Sequence, residues 1–122
     1  MKAVLAVGAG GWCGAVARHL VALAIARLWP HPFPLGTLAI NVGGSFALGC
    51  FLTWAGARAG LDPAWRLAVA TGFVGAFTTF STFEYETLRL VEAGRPTLAW
   101  LNLVGSVAAG YAAVALGARL AR

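Results

Sequence analysis

Four long apolar stretches dominate the pattern of hydrophobic and polar positions along the 122-residue chain, and three short loops separate them. A helix needs about 20 mostly apolar residues to cross the hydrocarbon core of a bilayer, and each stretch is long enough. The sequence therefore predicts an all-α integral membrane protein, with a single four-span membrane domain over residues 1–122. The predicted spans are Ala3–Leu28, Leu35–Gly56, Pro63–Val91 and Thr97–Leu116.

The predicted loops are short, which favours antiparallel neighbours in a compact bundle. Residues 29–34 contain three prolines, which prevent the first helix from continuing. In the second loop, Asp62 is the expected N-cap residue and Pro63 the expected first residue of the next helix. The third loop covers residues 93–96. Four of the five tryptophans lie near span ends, as expected of an interfacial belt: Trp29, Trp54, Trp65 and Trp100.

The composition supports a membrane protein and argues against other classes. Apolar residues make up 60% of the chain and charged residues only 11%, whereas a soluble domain carries about 25% charged residues. So few polar groups could not cover a water-facing surface, which argues against a soluble enzyme, a disulfide-stapled secreted domain and a disordered tail. Cys13 and Cys50 lie inside apolar stretches, where we expect them to pack as small apolar side chains.

The net charge of +5 does not indicate a nucleic-acid partner, because the basic residues are scattered and most flank apolar spans. Four spans place both termini on one side of the membrane. That side would carry Lys2, Arg58, Arg66, Arg119 and Arg122, and the other side Arg27, Arg89 and Arg95. With so weak a bias, the chain is expected to insert in both orientations, and two oppositely inserted copies could enclose a hydrated path.

The centre of the third span, residues 71–83, is the most informative stretch. Between Gly72 and Thr82, two glycines and four hydroxyl residues lie close together, and all are poor helix formers. At mid-membrane depth they predict a break in the helix, which the bilayer tolerates only where the backbone is buried in protein or lines a cavity. Freed carbonyls at such a break hold cations, and half-helix N-termini attract anions. The alternative is that these small residues only allow helices to approach closely.

Phenylalanines recur every three residues in this stretch, at Phe77, Phe80 and Phe83. This spacing is typical of packing or lipid-facing side chains. An aromatic ring also has a positive edge, which can lie beside a poorly hydrated anion without trapping it as a full charge would. Conduction requires binding of this kind, favourable enough for entry and weak enough for release.

Three polar side chains in other spans could line a pathway or bind neighbouring helices. Asn41 is the most polar residue of the second span, and its NH₂ group offers two donors to an anion. Asn102 and Ser106, four residues apart in the fourth span, share a helix face. Both interpretations, a polar strip along a path and helix-to-helix hydrogen bonding, are open for these residues.

Arg18 lies inside the first span, where a charge is costly and usually functional or paired. It could draw anions into a vestibule, or it could bind carbonyls at a helix break. Glu84 and Glu86 are its most obvious charge partners in the sequence.

Three motifs, taken together and in this order, resemble the CrcB/Fluc family of fluoride channels. They are GGWCGAVAR at residues 10–18, GTLAINVGGSF at residues 36–46, and GFVGAFTTFSTFEYE at residues 72–86. The resemblance covers the whole chain, and the third motif is highly specific.

The resemblance implies an antiparallel, dual-topology homodimer in the cell inner membrane. Two pores at its interface would pass fluoride passively out of the cytoplasm, and a structural sodium ion would be held by the backbone carbonyls of Gly75 and Thr78. The implied fluoride pathway residues fall into three groups. The ring edges of Phe80 and Phe83 face the ion beside Asn41, the polar residues Ser81, Thr82 and Ser106 follow the route, and the charged residues Arg18 and Glu86 lie near its ends.

Three other functions fit the sequence less well. A small multidrug transporter needs a membrane carboxylate to exchange protons for its cargo, and the first span has none. A scaffold subunit would not explain a broken, hydroxyl-rich third span. An enzyme is not indicated either, because no metal-binding set or nucleophile–base pair is present, and His19 and His31 have no partners.

Overall fold

All regular elements of the chain are helical in a computed structural model that describes residues 1–122. In chain order they are α1 (Lys2–Leu28), α2 (Leu35–Gly56), α3 (Pro63–Arg66), a π-helix (Leu67–Val74), α4 (Gly75–Phe77), α5 (Phe80–Glu92) and α6 (Pro96–Leu120). By length and composition, α1, α2 and α6 can each cross a membrane. The predicted boundaries of α2 are confirmed, whereas α6 continues four residues beyond the predicted end at Leu116.

The predicted third span is helical from Pro63 to Glu92 but is not one helix. Thr78 and Thr79 adopt extended backbone angles, with ψ of 159° and 116°, which confirms the predicted break. The break consists of these two threonines alone, since Gly72 and Gly75 both lie in helical segments. The π-helix that precedes α4 was not predicted.

Capping residues explain where two of these helices begin. The Asp62 carboxylate accepts a hydrogen bond from the Ala64 N–H at 2.9 Å, and Pro63 is the first residue of α3, as predicted. After the break, the Thr79 hydroxyl accepts a hydrogen bond from the Thr82 N–H at 3.3 Å. The chain therefore re-enters a helix at Phe80 with an N-terminal donor satisfied by a side chain.

Glycines bring the π-helix into backbone contact with α1. A β-carbon on Gly10 would collide with the Ala68 carbonyl, and one on Gly14 would collide with the Phe73 carbonyl. From the other side, a β-carbon on Gly72 would lie 2.7 Å from the Val7 carbonyl oxygen. The small-residue face of α1 that contains Gly10 and Gly14 is therefore the surface on which the first half of the broken span packs.

A second glycine contact joins α2 to α6. A β-carbon on Gly49 would collide with the Val114 carbonyl, and one on Gly117 with the Phe46 carbonyl. The two helices thus approach until backbone meets backbone, which side-chain packing alone would not allow. α5 contacts both α6 and α2, and α2 reaches the break through Asn41.

Most of the chain's large apolar side chains face outward. Only 13 of the 122 residues are buried, whereas many large apolar side chains along α1, α5 and α6 are exposed. Such a surface is compatible with hydrocarbon and not with water. The predicted tryptophan belt is exposed too, with Trp54 at 40%, Trp65 at 62% and Trp100 at 65% of full exposure.

Candidate functional site

Asn41 connects α2 to the break in the third stretch. Its Nδ2 group donates to the Thr79 carbonyl at 3.0 Å, and its Oδ1 atom accepts from the Thr79 N–H at 2.8 Å. The side chain thus supplies both hydrogen bonds that an extended residue loses when the helix stops. One of the two N–H donors predicted to be free for an anion is therefore in use, and one remains.

The threonine hydroxyls at the break are also engaged. Thr78 Oγ1 donates to the Val74 carbonyl at 3.0 Å, while Thr79 Oγ1 donates to Thr82 Oγ1 at 3.0 Å. Thr82, predicted as part of a polar route, therefore takes part in the N-terminal cap of α5. The partial positive charge of the α5 N-terminus lies beside Asn41 and the break.

Arg18 reaches the break from α1. Its Nη1 atom donates to the Thr78 carbonyl at 3.4 Å, a long hydrogen bond. Two roles were predicted for Arg18, attraction of anions and binding of carbonyls at the break. The hydrogen bond to the Thr78 carbonyl agrees with the second. Neither Glu84 nor Glu86 forms an ion pair with Arg18. The structure has two ion pairs, Lys2 with Asp62 and Arg89 with Glu92.

Two adjoining cavities form a groove along the break. They have volumes of about 220 and 350 Å³ and share Asn41, Ser45, Leu48 and Phe80. The smaller cavity also contacts Thr78 and Thr79, and the larger one contacts Phe83 and Ser106. Four of the predicted pathway residues thus line one groove: Asn41, Phe80, Phe83 and Ser106.

The two phenylalanines of the groove differ in their surroundings. Their ring centroids are 5.8 Å apart and their planes are inclined at 44°. Phe80 is 73% exposed, whereas Phe83 is 4% exposed. Phe77 does not continue this pair, because the break places it on α4, where it stacks on Phe73 at 5.8 Å. The repeat every three residues is therefore not a continuous helix face.

The remaining predicted pathway residues lie outside the groove. Ser81 and Thr82 are exposed on the first turn of α5, and Arg18 lines neither cavity. Glu86 lines a separate cavity of about 640 Å³ beside the first loop, together with Thr37 and His31. Its Oε2 atom is buried without a hydrogen-bond partner.

A hydrogen-bonded chain behind Phe83 was only partly predicted. Ser106 Oγ donates to Asn102 Oδ1 at 3.2 Å, and Asn102 Nδ2 donates to Thr87 Oγ1 at 2.8 Å. Thr87 Oγ1 in turn donates to the Phe83 carbonyl at 2.8 Å. Asn102 is 1% exposed, so it binds α6 to α5, while Ser106 reaches the groove. Thr87 was missed, although its position four residues after Phe83 places it on the same helix face.

Backbone oxygens are candidate ligands for a cation at this site. No group of His, Cys, Asp or Glu side chains could hold a metal. Among the loop and cap hydrogen bonds, none runs from a backbone N–H to the carbonyl of Gly75 or of Thr78, although Arg18 Nη1 donates to the Thr78 carbonyl at 3.4 Å. Carbonyl oxygens suit hard cations, so these residues fit the expected sodium ion chemically.

Known proteins similar to this chain include several that are named as ion channels. The family model of the CrcB-like protein, Camphor Resistance (CrcB), matches residues 5–118. A "Fluoride-specific ion channel FluC" of Acidobacterium capsulatum is 51% identical over 91% of this chain and 89% of its own length. Another, of Chlorobaculum tepidum, is 47% identical over 100% of this chain and 96% of its own length. The "Fluoride-specific ion channel FluC 1" of Moorella thermoacetica is 48% identical over 97% of this chain and 84% of its own length.

These matches extend along nearly the whole chain, through α1, α2, the broken third stretch and α6. The relatives are ion channels, in a family that is not enzymatic, in agreement with the prediction that the chain is not an enzyme. The resemblance drawn from the three sequence motifs is confirmed: this chain is a member of the CrcB family of membrane proteins.

Proposed function

We propose that this chain is a fluoride channel that passes the ion passively out of the cytoplasm across the cell inner membrane. The observation that carries the proposal is the groove shared by Asn41, Phe80, Phe83 and Ser106. Its polar groups are neutral, and no charged side chain lines it. Relatives named as fluoride-specific channels, at 47–51% identity, support fluoride as the ion.

Asn41 and the two phenylalanines are the proposed ion contacts. The Nδ2–H that Thr79 does not use can donate to fluoride. The ring edges of Phe80 and Phe83 can add weak electrostatic attraction. Such contacts hold a small anion and still release it, which a lysine or arginine in the same place would not do.

A second copy in the opposite orientation would complete the pathway. In one chain the groove is open and Phe80 is 73% exposed, so a single protomer does not enclose an ion. The weak charge bias of the loops supports dual topology. We propose that two antiparallel copies cover each other's grooves and form two pores.

The carbonyls of Gly75 and Thr78 would hold a structural sodium ion between the two copies. Each chain offers two of these oxygens, and the pair of chains would offer four to a hard cation. Bound there, the ion would supply positive charge at the break. The role of Arg18 follows from its reach to the Thr78 carbonyl: it orients that carbonyl and adds positive charge on the α1 side.

The rest of the proposed route runs along α5. Ser106 continues the groove, and its hydroxyl is oriented by Asn102. Ser81 and Thr82 lie on the exposed side of the first α5 turn, where a second copy would meet them. Glu86, beside the 640 Å³ cavity, would mark the end of the route.

Ion efflux from liposomes tests the function. Purified protein is placed in vesicles loaded with potassium fluoride or potassium chloride, valinomycin is added, and each anion is followed with a selective electrode. Rapid release of fluoride with retention of chloride is the expected result. Release of neither ion would contradict a channel, and release of both would contradict fluoride selectivity.

A further inference from the structure

An apolar cavity of about 740 Å³ lies apart from the groove, near the C-terminal end of α2. All nine of its lining residues are hydrophobic: Phe46, Ala47, Cys50, Phe51, Trp54, Leu61, Trp65, Val69 and Ala121. Its volume is within the range of about 300–1,000 Å³ that is typical of small-molecule sites. Trp54 and Trp65 are both partly exposed, so the cavity opens at the level of the tryptophan belt.

Two arginines converge beside this cavity. The Arg58 guanidinium lies 4.1 Å from the centre of the Trp54 ring and donates to the Trp54 carbonyl at 2.9 Å. Arg66 donates to the next carbonyl, that of Ala55, at 2.6 Å. Because the two acceptors are consecutive residues, the two guanidinium groups gather at one helix end. The negative end of the α2 dipole partly offsets their repulsion.

These two positive charges have no carboxylate partner. The ion pairs of the structure are Lys2 with Asp62 and Arg89 with Glu92. A guanidinium has five N–H donors. Arg58 and Arg66 each donate one of these N–H groups to a backbone carbonyl. The remaining donors are available to an anion. The end of α6 adds further positive charge nearby, since Ala121 of the cavity lies between Arg119 and Arg122 in the sequence.

We propose that this site binds an anionic phospholipid, with its phosphate on Arg58 and Arg66 and an acyl chain in the apolar cavity. A free inorganic anion would leave the cavity unexplained, and an uncharged apolar ligand would leave the arginines unexplained. A lipid matches both parts, because basic pockets between membrane helices bind anionic headgroups. The site is separate from the groove of the proposed channel.

Tryptophan fluorescence tests the proposal, because Trp54 and Trp65 would touch the bound chain. The full-length protein is placed in phosphatidylcholine vesicles that contain increasing fractions of brominated phosphatidylglycerol or brominated phosphatidylcholine. Bromine quenches tryptophan on contact. We expect half-maximal quenching at an about three-fold lower fraction of phosphatidylglycerol than of phosphatidylcholine. The difference should shrink at high salt and disappear in the Trp54→Phe/Trp65→Phe variant.

Charge variants locate the headgroup. In Arg58→Gln/Arg66→Gln, the two quenching curves should coincide. The matched control, Arg27→Gln/Arg95→Gln, loses the same charge at the other end of the molecule and should keep the preference. Coincident curves in the unmodified protein would overturn the proposal, and so would a preference that survives Arg58→Gln/Arg66→Gln. The fluorescence that Trp54 and Trp65 contribute is the difference between the unmodified protein and Trp54→Phe/Trp65→Phe. If neither lipid quenches that difference, no acyl chain occupies the cavity and the proposal is wrong. The arms that use only the unmodified protein do not depend on the folding of any variant.

Discussion

Asn41 and Thr79 are joined by two hydrogen bonds of opposite direction, one in which the side chain donates and one in which it accepts. The pair links residues 38 positions apart and fixes the break against α2. An amide is the side chain that can do this, because it carries a donor and an acceptor on one planar group. The same residue that holds the backbone open therefore also faces the groove.

The first prediction concerns the charge at this position. In Asn41→Asp the carboxylate cannot donate to the Thr79 carbonyl, and it adds a negative charge to the groove. Repulsion of an anion at contact distance is worth several kcal/mol near a protein interior, so fluoride efflux should fall about a hundredfold or more. Asn41→Ser, which stays neutral and can both donate and accept, is the matched control and should keep measurable efflux. Efflux at the unmodified rate from a folded Asn41→Asp protein would refute the role of Asn41.

The second prediction separates the two phenylalanines. Phe80→Ile and Phe83→Ile both remove a ring edge, so each should lower fluoride efflux. Only Phe83→Ile should also lower the thermal unfolding midpoint, because Phe83 is 4% exposed and Phe80 is 73% exposed. Both quantities can be measured on the same preparations. Trp12→Ile, on an exposed part of α1, is the control for loss of an aromatic ring. Unchanged efflux in both phenylalanine variants would exclude the proposed ring contacts.

The third prediction tests the backbone contact between α1 and the π-helix. Gly14→Ala places a methyl group against the Phe73 carbonyl, and overpacking of this kind costs about 1–3 kcal/mol. Gly8→Ala, on the same helix, meets nothing within 4 Å and should be neutral or slightly stabilising, by at most about 1 kcal/mol. The thermal unfolding midpoint, measured in detergent, should therefore be clearly lower for Gly14→Ala than for Gly8→Ala. Equal midpoints would show that α1 and the π-helix can move apart without loss of stability.

The fourth prediction concerns the membrane-surface pair of Lys2 and Asp62. The hydrogen bond from Lys2, followed by the one from the Ala64 N–H, holds the pKa of Asp62 below its ordinary value of 3.8. A lowered pKa means that the folded state favours the carboxylate, so the pair stabilises the fold above pH 3.8 and loses that effect as the pH falls through the lowered value. Lys2→Gln should raise the pKa of Asp62 towards 3.8, measured by NMR titration of the carboxyl carbon. An unchanged pKa of Asp62 would show that Lys2 does not contact Asp62 in the membrane-inserted protein.

Local sequence signals predicted the long helices and the break. Apolar length alone locates α1, α2 and α6, and Asp62 followed by Pro63 marks a helix start without any knowledge of the tertiary fold. The break could be predicted because threonine and glycine weaken a helix wherever they occur in it. These properties depend on neighbouring residues only.

Properties that depend on distant residues were not predictable. The π-helix packs closely on α1, where Gly10 and Gly14 admit the Ala68 and Phe73 carbonyls, and no pattern within residues 67–74 predicted its winding. The use of one Asn41 donor by Thr79 was missed for the same reason. The three-residue repeat of phenylalanines also did not predict the position of Phe77, because the break at Thr78 places Phe77 on a different helix from Phe80.

The π-helix gives Leu67–Val74 more residues than an α-helix of the same rise would hold. Each turn of i→i+5 winding holds more residues than an α-turn, so the segment contains surplus chain for its rise. Deleting one residue would let the backbone relax to α-winding, which removes the surplus and leaves the flanking segments in nearly the same phase. A deletion within α1 has no such surplus to remove, so every side chain beyond it would rotate by about 100° relative to those before it. The Leu67–Val74 segment can therefore lose a residue at lower cost than α1 can.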